Sequence, residues 1–124
     1  MRGRGVGLGR IVQLLEDGGP FVEGTVVASG EGAILAVGHR VAWRPGEALE
    51  GGSGVAAIDR ALERGATEAL ASEVPTESCV DREGLPIPMR RRSHGTDVAP
   101  GALEIAWLPH VPEERLVIFG AGHV

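Results

Sequence analysis

With 124 residues, two Trp, two Phe and no Tyr, the chain is sized for one small domain whose core must be built from Val, Leu, Ile and Ala. A formal net charge of −5 argues against a dedicated nucleic-acid binder, because phosphate affinity comes from cations gathered on one face. One cysteine, Cys79, excludes an internal disulfide framework, and no apolar run reaches membrane-spanning length, so a cytoplasmic setting is expected.

Residues 1–9 alternate Gly with Arg, Val and Leu and predict an irregular start; Arg2 and Arg4 are not followed by the apolar middle of a secretion signal. From Arg10, the spacing of Ile11, Val12, Leu14 and Leu15 predicts a helix of about two turns, ended by Gly18-Gly19-Pro20. Residues 21–29, rich in Val and Thr, and the apolar run 33–37 predict two strands joined by a turn at Gly30-Glu31-Gly32. Residues 39–44 predict a third strand, with Val41 and Trp43 on one face and Pro45-Gly46 closing it, so that the three would form an antiparallel meander.

Gly51-Gly52-Ser53-Gly54 leads into Val55, Ile58 and Leu62, which predict an amphipathic helix ended by Gly65, with Asp59, Arg60, Glu63 and Arg64 turned away from its apolar face. Residues 67–72 are compatible with another strand, and residues 73–101 show no clear period and are expected to be the least ordered. Residues 103–108 alternate as a strand does, and 109–114 read as an acidic, Pro-punctuated linker. Residues 116–119 are continuously apolar, as in a strand buried on both faces of a parallel sheet. The expected fold is α+β: a small, mainly antiparallel sheet with two helices over residues 1–113, followed in 114–124 by the first strand and Gly loop of a truncated Rossmann-type domain.

Two glycine clusters carry the candidate chemistry. Gly120 and Gly122 follow a buried strand, where the first would permit a tight turn and the second the approach of a pyrophosphate; His123 lies in the same loop. Gly51, Gly52 and Gly54 precede a helix and would cradle a phosphate, with a plain helix-leading turn as the alternative. Cys79 reads as a small buried hydrophobe, with a metal-ligating or sulfur-handling thiolate as the alternative, which neighbouring Glu77 and Asp81 disfavour. His39, His94, His110 and His123 are too scattered for a zinc site, and no hydrolase arrangement is present. Arg82 and Arg90-Arg91-Arg92 form one basic cluster that reads as a solvated loop, or as a contact for phosphate or an acidic partner.

The segment Arg115-Leu116-Val117-Ile118-Phe119-Gly120-Ala121-Gly122-His123-Val124 resembles the strand and Gly loop that open the second domain of the XdhC/CoxI family. More loosely, the helix before Gly18, the strand Gly24-Thr25-Val26-Val27-Ala28-Ser29, Gly38 and the cluster Gly51-Gly52-Ser53-Gly54 resemble its first domain, the cluster standing where that family has its Gly-rich signature. Ser29-Gly30-Glu31-Gly32 departs from the family's Gly-Ser-x-Pro-Arg segment, and Val55, Ala56 and Ala57 stand where it often has a Cys or an acidic residue.

The resemblance implies a xanthine dehydrogenase accessory protein, chaperone-like rather than catalytic. Such a protein would bind the molybdenum cofactor (molybdopterin) through Gly51, Gly52, Gly54, Gly120, Gly122 and His123 and deliver it to a molybdenum hydroxylase apoenzyme, with no metal ligand of its own. No nucleic-acid or membrane partner is expected, and a homodimer is the further partner considered. The alternatives are an NAD(P)-dependent oxidoreductase fragment, which an acidic residue about twenty positions beyond the Gly loop would favour, and a ligand-free regulatory or dimerisation module marked by an exposed apolar patch.

Overall fold

The computed structural model describes residues 5–88 and 98–112; the strand at 116–119, the Gly120 and Gly122 loop with His123, His94 and Arg90-Arg91-Arg92 lie outside the described residues. Helix α1, Leu8–Asp17, begins inside the stretch expected to be irregular, two residues before the expected start at Arg10. It stops where expected: Gly18 adopts φ 81°, a left-handed conformation open to glycine, and its N–H donates to Leu15 O at 3.1 Å. Ile11 and Leu14 are buried, while Leu8, Val12 and Leu15 stay exposed.

Strand β1, Phe21–Ser29, and strand β2, Arg40–Trp43, pair antiparallel with Val22 opposite Trp43 and Thr25 opposite Arg40. The strand expected at 33–37 does not form. Gly32 and Gly38 take φ of 77° and 94°, Ala33 N–H bonds back to Gly30 O, and the connection folds inward so that Leu35 plugs the core. An apolar run with the composition of a strand is used here as a core plug.

Helix α2, Ala56–Ser72, passes straight through Gly65, the expected stop, and takes in residues 67–72, whose composition is compatible with a strand. Its buried positions, Ile58, Ala61, Leu62, Gly65, Ala66 and Ala69, recur every three or four residues and hold one face against the sheet. The helix ends at Glu73, which carries φ 60° without being glycine. That left-handed conformation is costly for a residue with a Cβ, and an acidic side chain at a helix carboxyl end meets the wrong pole of its dipole. Glu73 is exposed, so Glu73→Gly is expected to stabilise the domain by about 0.5–1 kcal/mol, read as a higher urea midpoint with an unchanged slope.

Strand β3, Thr76–Val80, lies in the segment expected to be least ordered, and strand β4, Leu103–His110, runs on through Pro109 into the expected linker. The sheet order is β2-β1-β4-β3, antiparallel throughout, so the last described strand sits at its centre between β1 and β3. A bulge interrupts the β1–β4 register between Val26 and Ala28. The sheet is thus no simple meander: β4 pairs with β3 on one side and, on the other, with the edge of β1 that β2 leaves open.

Alternation then divides the apolar side chains. Val22, Val26, Val41, Leu103, Ile105 and Trp107 face α2 and form the main core, whereas Phe21 and Ala42 face α1 with Ile11 and Leu14. At the centre of the main core, Trp107 is buried between two glycines. A Cβ built on Gly24 would lie 2.6 Å from Trp107 Cε3, and one on Gly65 would lie 2.7 Å from Trp107 Nε1. The indole N–H donates to Ser78 Oγ at 2.8 Å, so this buried polar group is satisfied. Gly65 therefore provides close approach of the helix to the sheet; it is not a stop signal.

Candidate anion-binding loop

The loop before α2 is assembled by the strand that precedes it. After β2 the chain turns at residues 44–47 and comes back beside Ala42, with Ala42 and Glu50 exchanging both backbone hydrogen bonds at 3.0 and 2.8 Å. This delivers Gly51 against Arg40 O and Val6, at φ 80°, where its carbonyl contacts His39 Nε2 at 2.6 Å. A side chain at Gly51 would be strained by its backbone and pressed against that of Arg40.

Beyond Gly51 the loop closes round one carboxylate. Asp59, in the first turn of α2, accepts from Ser53 N–H at 2.7 Å and Ser53 Oγ–H at 2.8 Å through Oδ1, and from Gly54 N–H at 3.1 Å through Oδ2. Ser53 is 3 % exposed, and its Oγ accepts in turn from Val55 N–H at 3.0 Å. Gly54 takes φ 85°, and Gly52 leaves room for the carboxylate, since a Cβ there would stand 2.9 Å from Asp59 Oδ1. Three donors converging on an oxyanion at a helix amino terminus make an anion-binding arrangement, and the anion it holds is the chain's own.

Sequence reasoning placed Gly51, Gly52 and Gly54 in one loop, as the structure does, and turned Asp59 away from the apolar face of α2 without assigning it to the loop. The signal that would have found Asp59 is an acidic side chain in the first turn of a helix that follows a run of backbone amides. The other three candidates, Gly120, Gly122 and His123, lie outside the described residues.

A second charged group flanks the loop. Arg10 donates from Nε and Nη2 to the two oxygens of Glu50, each at 2.8 Å, a bidentate pair that ties α1 to the strand leading into the loop. The hydrogen bond from Arg10 holds the Glu50 carboxyl below its ordinary range, against the opposing effect of burial, and the same hydrogen bond raises Arg10. Because the folded-state value is depressed, the stability Glu50 contributes is present above roughly pH 4 and is lost as the pH falls through that lower value. Glu50→Gln is therefore expected to flatten the acid limb of the stability profile below about pH 4 while leaving its neutral shape alike, as urea titrations across pH would show.

Glu23 joins β1 to both neighbours: His110 Nε2 lies 2.9 Å from its Oε1, and Arg40 Nε lies 3.8 Å from its Oε2. Phe21 stacks on the His110 ring with centroids 4.4 Å apart. His39 and His110 thus contact groups of the fold itself. Cys79 is buried in β3, directly opposite Glu104, which is buried as well. Among the described residues no three His, Cys, Asp or Glu side chains gather as metal ligands would. Two open surface depressions of about 430 Å³ lie elsewhere, one on α2 lined by Arg60, Glu63, Arg64, Thr67 and Glu68, the other by Pro75, Thr76, Glu77, Ala106 and Trp107.

Fold and loop together define an α+β domain with an open four-stranded antiparallel sheet, two helices and a glycine loop closed on an internal carboxylate. The chain matches no protein-family model and no curated protein. No helix among the described residues is long and apolar enough to cross a membrane.

Proposed function

We propose that the chain is an accessory protein of molybdenum-hydroxylase maturation, working in the cytoplasm, that receives molybdopterin and passes it to a xanthine dehydrogenase-type apoenzyme. The observation that carries this reading is the convergence of the Ser53 and Gly54 donors on one oxyanion, in the loop that stands where the XdhC/CoxI family has its Gly-rich signature. The pterin's phosphate is an anion suited to those donors, but it fits only once Asp59 has left them, because the carboxylate occupies all three. In this reading Gly51, Gly52 and Gly54 shape the loop, and Gly120, Gly122 and His123 supply further contacts from the Rossmann-type segment. The role is carriage and protection, with no catalytic residue assigned.

The test is retention of molybdopterin released from a hydroxylase: the chain is mixed with it and passed through gel filtration, and bound pterin is read by fluorescence after oxidation. Near-stoichiometric pterin that inorganic phosphate displaces would support the reading. Retention of NAD in place of pterin would overturn it in favour of an oxidoreductase. Retention of neither would favour the ligand-free dimerisation module, a second reading supported by the exposed apolar side chains of α1.

A further inference from the structure

Helix α1 has an apolar arc wider than the sheet covers. Ile11 and Leu14 are buried, but Leu8, Val12 and Leu15 are 68 %, 50 % and 50 % exposed, and their spacing of four and three residues puts them on one face. The helix is also charged against its own dipole. Its first turn holds no acidic residue, its amino-terminal cap is Gly7 with no side-chain cap bond, its last turn holds no basic residue, and Glu16 and Asp17 stand at its carboxyl end. Arg44 Nη1 lies 3.8 Å from Asp17 Oδ2, so Glu16 is the carboxylate that this end offers to the uncapped amino terminus of an identical helix.

We propose that this face binds a second copy of the chain, with the two α1 helices antiparallel about a two-fold axis. In that arrangement Leu8 faces Leu15 of the partner subunit, Val12 lies near the axis against its own counterpart, and Glu16 comes beside the partner's Gly7, where the positive pole of the helix is uncapped. The two dipoles then run opposed, and one pairing covers the apolar stripe and complements both termini. A ten-residue helix spans only about 15 Å, so the contact is smaller than the roughly 1,600 Å² of a standard interface, and the dimer dissociates on dilution. The apolar stripe includes none of Gly51, Gly52, Ser53, Gly54 and Asp59, and its test reads association of the chain, whereas the test of the proposed function reads retained pterin.

Sedimentation of the full chain over a dilution series tests it. The expected result is a monomer–dimer equilibrium that Val12→Glu and Leu15→Glu each weaken by about tenfold or more, and that Glu16→Arg weakens less and in a salt-dependent way. All three positions are exposed, so far-UV circular dichroism and thermal midpoints should stay near those of the parent. Leu85→Glu, at an exposed apolar residue elsewhere, should leave the equilibrium unchanged. A chain that is monomeric at every concentration overturns the proposal, as does a dimer indifferent to Val12→Glu and Leu15→Glu.

Discussion

Gly24→Ala is expected to destabilise the domain by about 3 kcal/mol, the upper end of what overpacking a filled core costs. In a chain of this size that lowers the thermal midpoint by roughly 10 °C. The added methyl would stand 2.6 Å from Trp107 Cε3, and the indole has nowhere to retreat, because Gly65 of α2 closes its other side. At Gly65 the same change costs less, about 1–2 kcal/mol, since Ala is the better helix former by nearly 1 kcal/mol and offsets part of the clash. The decisive measurement is a double-mutant cycle with Trp107→Leu. That substitution costs about 3 kcal/mol by itself, but it makes room for the methyl group, so Gly24→Ala should cost under about 1 kcal/mol in its background. Equal costs in the two backgrounds would show that the glycine is needed for some other reason.

The second large effect belongs to Asp59. Asp59→Ala takes the acceptor from the buried Ser53 amide and hydroxyl, each worth about 1–3 kcal/mol when unsatisfied, and because the hydroxyl can turn to Val55 O at 3.4 Å, a loss of about 2–3 kcal/mol is expected. Asp59→Asn keeps an acceptor oxygen but gives up the charge, and should lose about half as much. Hydrogen exchange locates the damage: the Ser53 and Gly54 amides should lose protection while the β1 and β4 amides keep theirs. If the loop serves an external phosphate, inorganic phosphate should raise the thermal midpoint of Asp59→Ala more than that of the parent chain, at matched ionic strength. Equal responses would mean that the loop is a structural turn closed by its own carboxylate.

The sequence alone determined those parts whose signals are local. The Gly18-Gly19-Pro20 stop of α1, the whole of β1, the β2 strand, the start of α2 and most of β4 follow from periodicity, turn residues and capping, which act over a few residues. The grouping of Gly51, Gly52 and Gly54 in one loop was legible for the same reason. What only the tertiary structure decided is what distant partners supply. Gly65 looked like a stop because glycine weakens an isolated helix, but burial against Trp107, forty-two positions away, makes its missing side chain an advantage. Residues 33–37 have the composition of a strand and form none, because β4 arrives from the far end of the domain to take the edge of β1 opposite β2. Helical periodicity puts Asp59 off the apolar face of α2, where it lies, but only the folded loop shows that Ser53 and Gly54 donate to it. Local propensity sets where the chain turns and coils; the contacts that bury Trp107, Leu35 and Ser53 set what each ambiguous residue is used for.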